Sequence, residues 1–334
     1  MKTAFSGKTG EPMTNETRVR GMKRKTIKAV LRKRFDEFLS NVRNEDIRKV
    51  LAEKSIITGG AIASMLLGEG INDLDVYLTD FDACRMVAEH YVKEFKASPP
   101  PRFSEKYGAG EIPIAVYVDE ECSPKRVKIV VKSAGAASEN GDQGYEYFET
   151  SDVDGDNAAA YAQQVVEETD DDGKKPKFRP VFLSTNAVSL SNKVQVVCRF
   201  YGEPDAIHEN YDFVHCTNWW RSRDGHLELR PAALEVLLSR ELKYVGSKYP
   251  LCSFIRTRKF ISRGWTINAG QFLKMAWQLN ELNLKDPKVL EDQLTGVDAV
   301  YFEEIIRLLK ERMAETQTKE VDATYLMELV DRMF

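Results

Sequence analysis

Apolar residues recur at three- and four-residue intervals from Thr17 to about Leu51, at Ile27, Val30, Leu31, Phe35 and Phe38 among others. That is the spacing of a buried helix face. The period then changes. "KSIITGG" reads as a short strand entering a glycine turn, and Ala61 to Leu67 as a helix that Gly68 ends in a left-handed cap. "DLDVYLT" alternates β-branched and aromatic residues with polar ones, as a strand does. Phe81 to Phe95 is helical again. "SPPPR" breaks the chain, and "IPIAVYV" and "RVKIVVK" follow as a pair of strands. Further on, "PVFLST", "KVQVVCRFYG" and "DFVHCTNWW" are strand-like, with one helical turn in "EPDAIHEN" between the last two. From Pro231 to Phe334 the pattern is helical, beginning with "PAALEVLLSRELKYVG", "YPLCSFIRTRKFISRG" and "INAGQFLKMAWQLNELN".

This order predicts an α+β protein in which a mixed sheet flanked by helices precedes an all-helical part. Residues 1–50 form a basic helical segment, 51–230 the α/β domain and 231–334 the helical domain. The stretch from about 133 to 180 is rich in Gly, Ala, Asp and Glu and poor in aliphatic residues. It reads as an acidic, flexible surface insertion whose "AAAYAQQVVEE" forms a helix. "DVDGDN" within it is not a calcium loop: glycine is not at the sixth position, and Gln163 stands where the bidentate Glu belongs.

Composition narrows the class. With 43% hydrophobic and 10% aromatic residues the chain has enough apolar material for a sizeable core, which excludes global disorder. No apolar run reaches membrane-span length, and the N-terminal region lacks the apolar block of a secretory signal. The five cysteines are scattered and never form C-x-x-C, against a disulfide framework or a zinc site. The expected location is the cytoplasm, a host's cytoplasm for a phage-encoded chain. The net charge of −4 conceals a basic stretch, "RVRGMKRKTIKAVLRKR", and another from Arg221 to Arg263. Such runs are solvated helix faces or contacts for a phosphate-rich partner.

The candidate chemistry lies in "TGGAIASMLLGEGINDLDVYLTD", Thr58 to Asp80. On a strand, residues i and i+2 share a face, so Asp73 and Asp75 project together. Two carboxylates that close repel unless a cation lies between them, and a hard ion with oxygen ligands, Mg²⁺, removes the penalty. Gly60 opens the preceding helix, whose unpaired N–H groups receive phosphate, and Gly59 lets a bulky group approach the backbone. Turn, helix and strand together make a device for holding Mg²⁺ and a nucleoside triphosphate. Arg256, Lys259 and Arg263 share one sector of a helical wheel and are candidates to face triphosphate or nucleic acid, with Lys248 as a further contact. Leu251, Phe254, Ile255, Ile261 and Trp265 form the apolar sector, with Met275 and Trp277 in the core of the next helix. His215 reads as a packed histidine. Of Trp219 and Trp220, on opposite sides of a strand, one is core and the other is free to stack on a base.

The run from Gly59 to Val76 resembles the signature of the DNA polymerase β-type nucleotidyltransferase superfamily. It is most similar in spacing to class II CCA-adding enzymes and bacterial poly(A) polymerases. It departs from them at Ala63-Ser64, where they carry Arg-Asp. The later run "STNAVSLSNKVQVVCRFYGEPDAIHENYDFVHC" resembles bacteriophage nucleotidyltransferase-fold proteins. The resemblance implies a third carboxylate on a neighbouring strand, and Asp212 is the candidate. It further implies two Mg²⁺ ions, replaceable by Mn²⁺, bound by Asp73, Asp75 and Asp212. Gly59, Gly60, Ser64, Lys248, Arg256 and Lys259 would contact the nucleotide. The implied reaction transfers a nucleoside monophosphate from an NTP such as ATP to an acceptor hydroxyl, foremost on RNA such as a tRNA 3′ end. The alternatives are transfer to a protein, or a silent nucleic-acid-binding protein of the same fold.

Overall fold

The computed structural model describes residues 21–71, 73–99, 112, 114–120, 123–131, 177–183, 186–294, 299–318 and 320–333. The calcium-like loop and the helix expected in the insertion lie outside them. Helix α1 (Arg24–Asn41) buries Ile27, Leu31, Phe35 and Phe38, the three- and four-residue stripe visible in the sequence. Residues 21–23 ahead of it are not helical. Helix α2 (Glu45–Lys54) starts where the Asn44 side chain accepts hydrogen bonds from the N–H groups of Asp46 and Ile47. Strand β1 (Ser55–Thr58) follows, then α3 (Gly60–Leu67), closed by left-handed Gly68. Strand β2 (Leu74–Leu78) leads to α4 (Phe81–Ala97), capped by Asp80.

The hairpin of β3 (Ile114–Asp119) and β4 (Arg126–Val131) forms a sheet of its own. After the insertion come β5 (Pro180–Leu183), β6 (Ala187–Leu190), β7 (Val194–Tyr201) and the short helix α5 (Pro204–His208). Two short strands, β8 (Trp219–Arg221) and β9 (Leu227–Glu228), complete a mixed seven-stranded sheet of order β5-β6-β7-β2-β1-β8-β9. Only the β2–β7 pairing is parallel. The remainder is helical: α6 (Pro231–Ser239), α7 (Pro250–Ser262), α8 (Ala269–Asn280), α9 (Pro287–Leu294), α10 (Ala299–Thr316) and α11 (Ala323–Met333). The fold is therefore the α+β arrangement read from the pattern: a mixed sheet flanked by helices, followed by helices alone.

Three apolar clusters hold it together. The first joins α1, α2 and α4 to the sheet, so the N-terminal helices share the core of the α/β part. The second packs α6, Trp265 and Met275 of the helical part against Ala63 of α3 and the segment Phe213–Val214. The third lies among α7, α9, α10 and α11. Helix α3 thus contributes to the first two clusters, which fixes the glycine turn at its start relative to both halves.

One expected strand is largely absent. Within "DFVHCTNWW", Phe213 makes an isolated bridge to Tyr244 and Val214–Cys216 forms a 3-10 turn, so only Trp219 and Trp220 join the sheet. Phe213 and Val214 bury their side chains in the helical cluster instead, and that packing pulls the segment off the sheet.

Candidate active site

The site begins at the end of β1. The Thr58 hydroxyl donates to the carbonyl of Asn218 at 2.9 Å and lies 2.8 Å from His208 Nε2, and the Gly59 N–H donates to Cys216 O at 3.1 Å. Gly59 has φ of 99°, and a Cβ there would meet Asp75 Oδ2 at 2.9 Å, so backbone and neighbour both demand glycine. Gly60 is different: a Cβ there would meet nothing within 4 Å. No side chain caps the start of α3, so its first N–H groups remain for a ligand.

Strand β2 supplies the acids. Leu74, Val76 and Leu78 are buried on one face, which leaves Asp73, Asp75 and Tyr77 on the other. A cleft of about 340 Å³ brings together Gly59, Gly60 and Ser64 of the turn and α3, Asp73 and Asp75 of β2, Asp212, and Arg256, Lys259 and Arg263 of α7 and its end. Segments far apart in sequence thus converge on one space, with carboxylates on one side and cations on the other.

Asp212 arrives by an unexpected route. The residues in register with Asp75 on the strands flanking β2 are Thr58 and Gln195, neither of them acidic. Asp212 precedes the 3-10 turn and is held by its backbone carbonyl, which accepts from the Val245 N–H at 3.0 Å. Its carboxylate is buried and forms an ion pair with the Arg256 guanidinium. The expectation that a strand delivers Asp212 is therefore corrected: packing of Phe213 does so.

The donor chemistry can be weighed against a divalent ion. Asp73 and Asp75 offer hard oxygen atoms from one strand face beside an open helix start, which fits one Mg²⁺ or Mn²⁺. Among the described residues, no three His, Cys, Asp or Glu side chains are grouped closely enough to hold a metal ion. The ion pair with Arg256 occupies the third acid.

Burial governs the neighbouring titratable groups. It pushes the phenols of Tyr77 and Tyr211 upward, and the charge of Asp75 adds to the effect on both. Both stay protonated beside that carboxylate. Burial likewise pushes the Cys216 thiol up to about 12, which removes it as a nucleophile. His215 is lowered to about 4 by burial among Phe213, Phe260 and Trp265 and is neutral at physiological pH, a packed histidine as read.

Other expectations shift. Lys248 does not line the cleft; its ammonium lies 5.8 Å from the Phe200 ring centroid. Trp220 is core, while Trp219 packs between Arg221 and His226. Met275 is buried, but Trp277 is 70% exposed and Ile261 46% exposed, so neither is core. Tyr77, Tyr211 and Gln195 line the cleft without having been singled out. For Tyr77 the signal was present, since it follows Asp75 by two residues on one strand.

Fold and site define a mixed α/β protein whose glycine-lined helix start and paired strand carboxylates share one cleft with a cationic helix. The chain belongs to the Gabija anti-defense 2 family, which matches residues 29–240. That span includes the glycine turn and all three candidate acids and ends before α7. Gabija anti-defense 2 of Bacillus phage SPbetaL7 is 20% identical over 151 residues, 42% of this chain and 38% of the relative. The match thus spans well under half of that protein. Among solved structures, a Thermotoga maritima CCA-adding enzyme complexed with tRNA is similar at 10% identity and TM-score 0.36, over 85% of this chain and 54% of that one. A tRNA-processing enzyme with CTP is similar at 11% identity and TM-score 0.35, over 81% and 56%. At such scores neither likeness defines the fold.

Proposed function

We propose that the protein is a Mg²⁺-dependent nucleotidyltransferase that moves a nucleoside monophosphate from an NTP to an acceptor hydroxyl. The observation that carries this reading is the opening of an uncapped glycine-led helix and a two-carboxylate strand face into one cleft opposite Arg256, Lys259 and Arg263. The helix N–H groups and Gly59–Gly60 receive phosphate oxygens. The α7 cations offset the charge of the β- and γ-phosphates and orient the leaving pyrophosphate. Asp73 and Asp75 hold the cation, with Asp212 as the third ligand. Mg²⁺ bound there would lower the pKa of the acceptor hydroxyl and stabilise charge at the α-phosphate. No covalent bond to the protein is needed.

The family adds a setting. The relative's name is that of an anti-defense protein of a phage, and on that ground the protein works in a host's cytoplasm against Gabija defence. The acceptor is then a component of that setting, an RNA 3′ end first and a protein hydroxyl second. One observation favours a catalytically silent binding protein instead: Asp212 is paired with Arg256 rather than grouped with the other acids.

The test is incubation of the full chain with each α-labelled NTP and Mg²⁺ or Mn²⁺, over a tRNA pool and over the defence proteins. Transfer that disappears with Asp73→Ala or Asp75→Ala supports the enzyme. Nuclease or protease sensitivity of the label identifies the acceptor class. Nucleotide binding without transfer to any acceptor would establish the silent protein.

A further inference from the structure

We propose that Arg256 gates Asp212: it holds the third carboxylate until a polyphosphate draws the guanidinium away and a divalent cation takes its place. The inference rests on the nucleotidyltransferase reading and specifies the order in which that site fills.

The ion pair joins the only acid of the cleft that does not come from β2 to the first of the three α7 cations lining it. Asp212 is 6% exposed, and its backbone is tied to Val245 and, through Phe213, to Tyr244. The carboxylate therefore stays put. Arg256 is different. Its side chain is 31% exposed, is long and flexible, and emerges from a helix whose Lys259 and Arg263 follow at i+3 and i+7 along the same cleft.

A buried carboxylate cannot simply lose its partner, because an uncompensated charge in a low-dielectric site is strongly unfavourable. A cation cannot simply enter beside the guanidinium either, since like charges repel at that range. Each obstacle disappears only when both moves happen together. A polyphosphate among Lys259, Arg263 and the start of α3 offers Arg256 a new bidentate partner, and the divalent ion then replaces it at Asp212. Polyphosphate and cation must therefore bind cooperatively, each raising the other's affinity by the same factor. Arg256 is a positioning residue in this scheme, acting through Asp212.

Bound Mn²⁺ is counted by equilibrium dialysis, with and without inorganic tripolyphosphate. Wild type alone should bind one Mn²⁺, dependent on Asp73 and Asp75. Tripolyphosphate should tighten a further site by about tenfold or more, and Asp212→Asn should abolish that gain. Arg256→Gln should show the further site without polyphosphate, and Arg256→Gln combined with Asp212→Asn should lose it. Purely structural support from Arg256 would not raise metal stoichiometry. If Arg256→Gln fails to fold, the wild-type and Asp212→Asn titrations decide alone. Wild type that binds the full set of ions without polyphosphate, or Arg256→Gln that gains no site, overturns the gate and leaves the Asp73–Asp75 site standing. Absence of Mn²⁺ binding that depends on Asp73 and Asp75 overturns both the gate and the reading beneath it.

Discussion

Gly59 and Gly60 stand side by side for different reasons, and substitution separates them. At Gly59 a side chain must adopt φ of 99° and displace Asp75 Oδ2. The backbone strain alone costs roughly 1–2 kcal/mol, and Asp75 moves from its place. Gly59→Ala is expected to lower the urea midpoint by that amount and to weaken Mn²⁺ binding. Gly60→Ala meets no atom within 4 Å and replaces glycine in a helix. It should leave stability unchanged or slightly raised, while filling space where phosphate would sit. Loss of NTP affinity with unchanged stability, read by calorimetry and urea titration, is its signature. Equal NTP affinity in Gly60→Ala would exclude phosphate binding at that spot. At this scale the sequence is legible wherever chemistry depends on local geometry. Gly-Gly before a helix and Asp-x-Asp on a strand announce themselves because periods of 3.6 and 2 fix which side chains share a face. The Arg256–Asp212 pair, 44 residues apart, has no such local rule.

Elements show where pattern reading stops. The helix wheel correctly groups Arg256, Lys259 and Arg263, all of which line the cleft. It says less about what the opposite face meets: Ile261 and Trp277 carry apolar signals but are largely exposed. The strand expected around Asp212 fails for a related reason. "DFVHC" has strand-like composition, yet its apolar residues are claimed by α6 and Trp265 rather than by the sheet, and tertiary packing overrides β-propensity. Helix α8 provides a direct comparison. Met275→Ala, at a fully buried position, should cost about 2–5 kcal/mol. Trp277→Ala, at a 70% exposed position two residues away, should change stability by no more than about 0.5 kcal/mol. Urea unfolding of the two variants checks the assignment, and comparable losses would place Trp277 in a core that the structure does not show.

Across the whole molecule, two buried histidines join the sheet to the segments around the cleft and make the fold sensitive to mild acid. His208 sits 2.8 Å from the Thr58 hydroxyl, and burial together with Arg230 lowers it to about 4, against an opposing pull from Asp205. His215 is also lowered to about 4 by burial, with Asp212 pulling up and Arg256 pushing down. Both are neutral in folded and unfolded chains above about pH 6.5, so neither affects stability there. As pH falls below 6.5 the unfolded chain takes up protons that the folded one refuses until about pH 4. Stability is therefore lost through that window, by about 1.4 kcal/mol per pH unit for each histidine in its interior. The lowered carboxylates of Asp80 and Asp224 act only around and below their ordinary value of 3.8 and leave the window to the histidines. Unfolding free energies measured in urea at pH 7, 6 and 5 should fall along this slope. His215→Gln, neutral and of similar size, should reduce the slope by about half, whatever it does to stability at pH 7. A profile flat from pH 7 to 5 would mean that both imidazoles reach water in the folded protein. Because His215 packs beneath Asp212 and His208 anchors the end of β1, the same titration should loosen the turn and the third acid together, and NTP binding should weaken over the same pH range as stability.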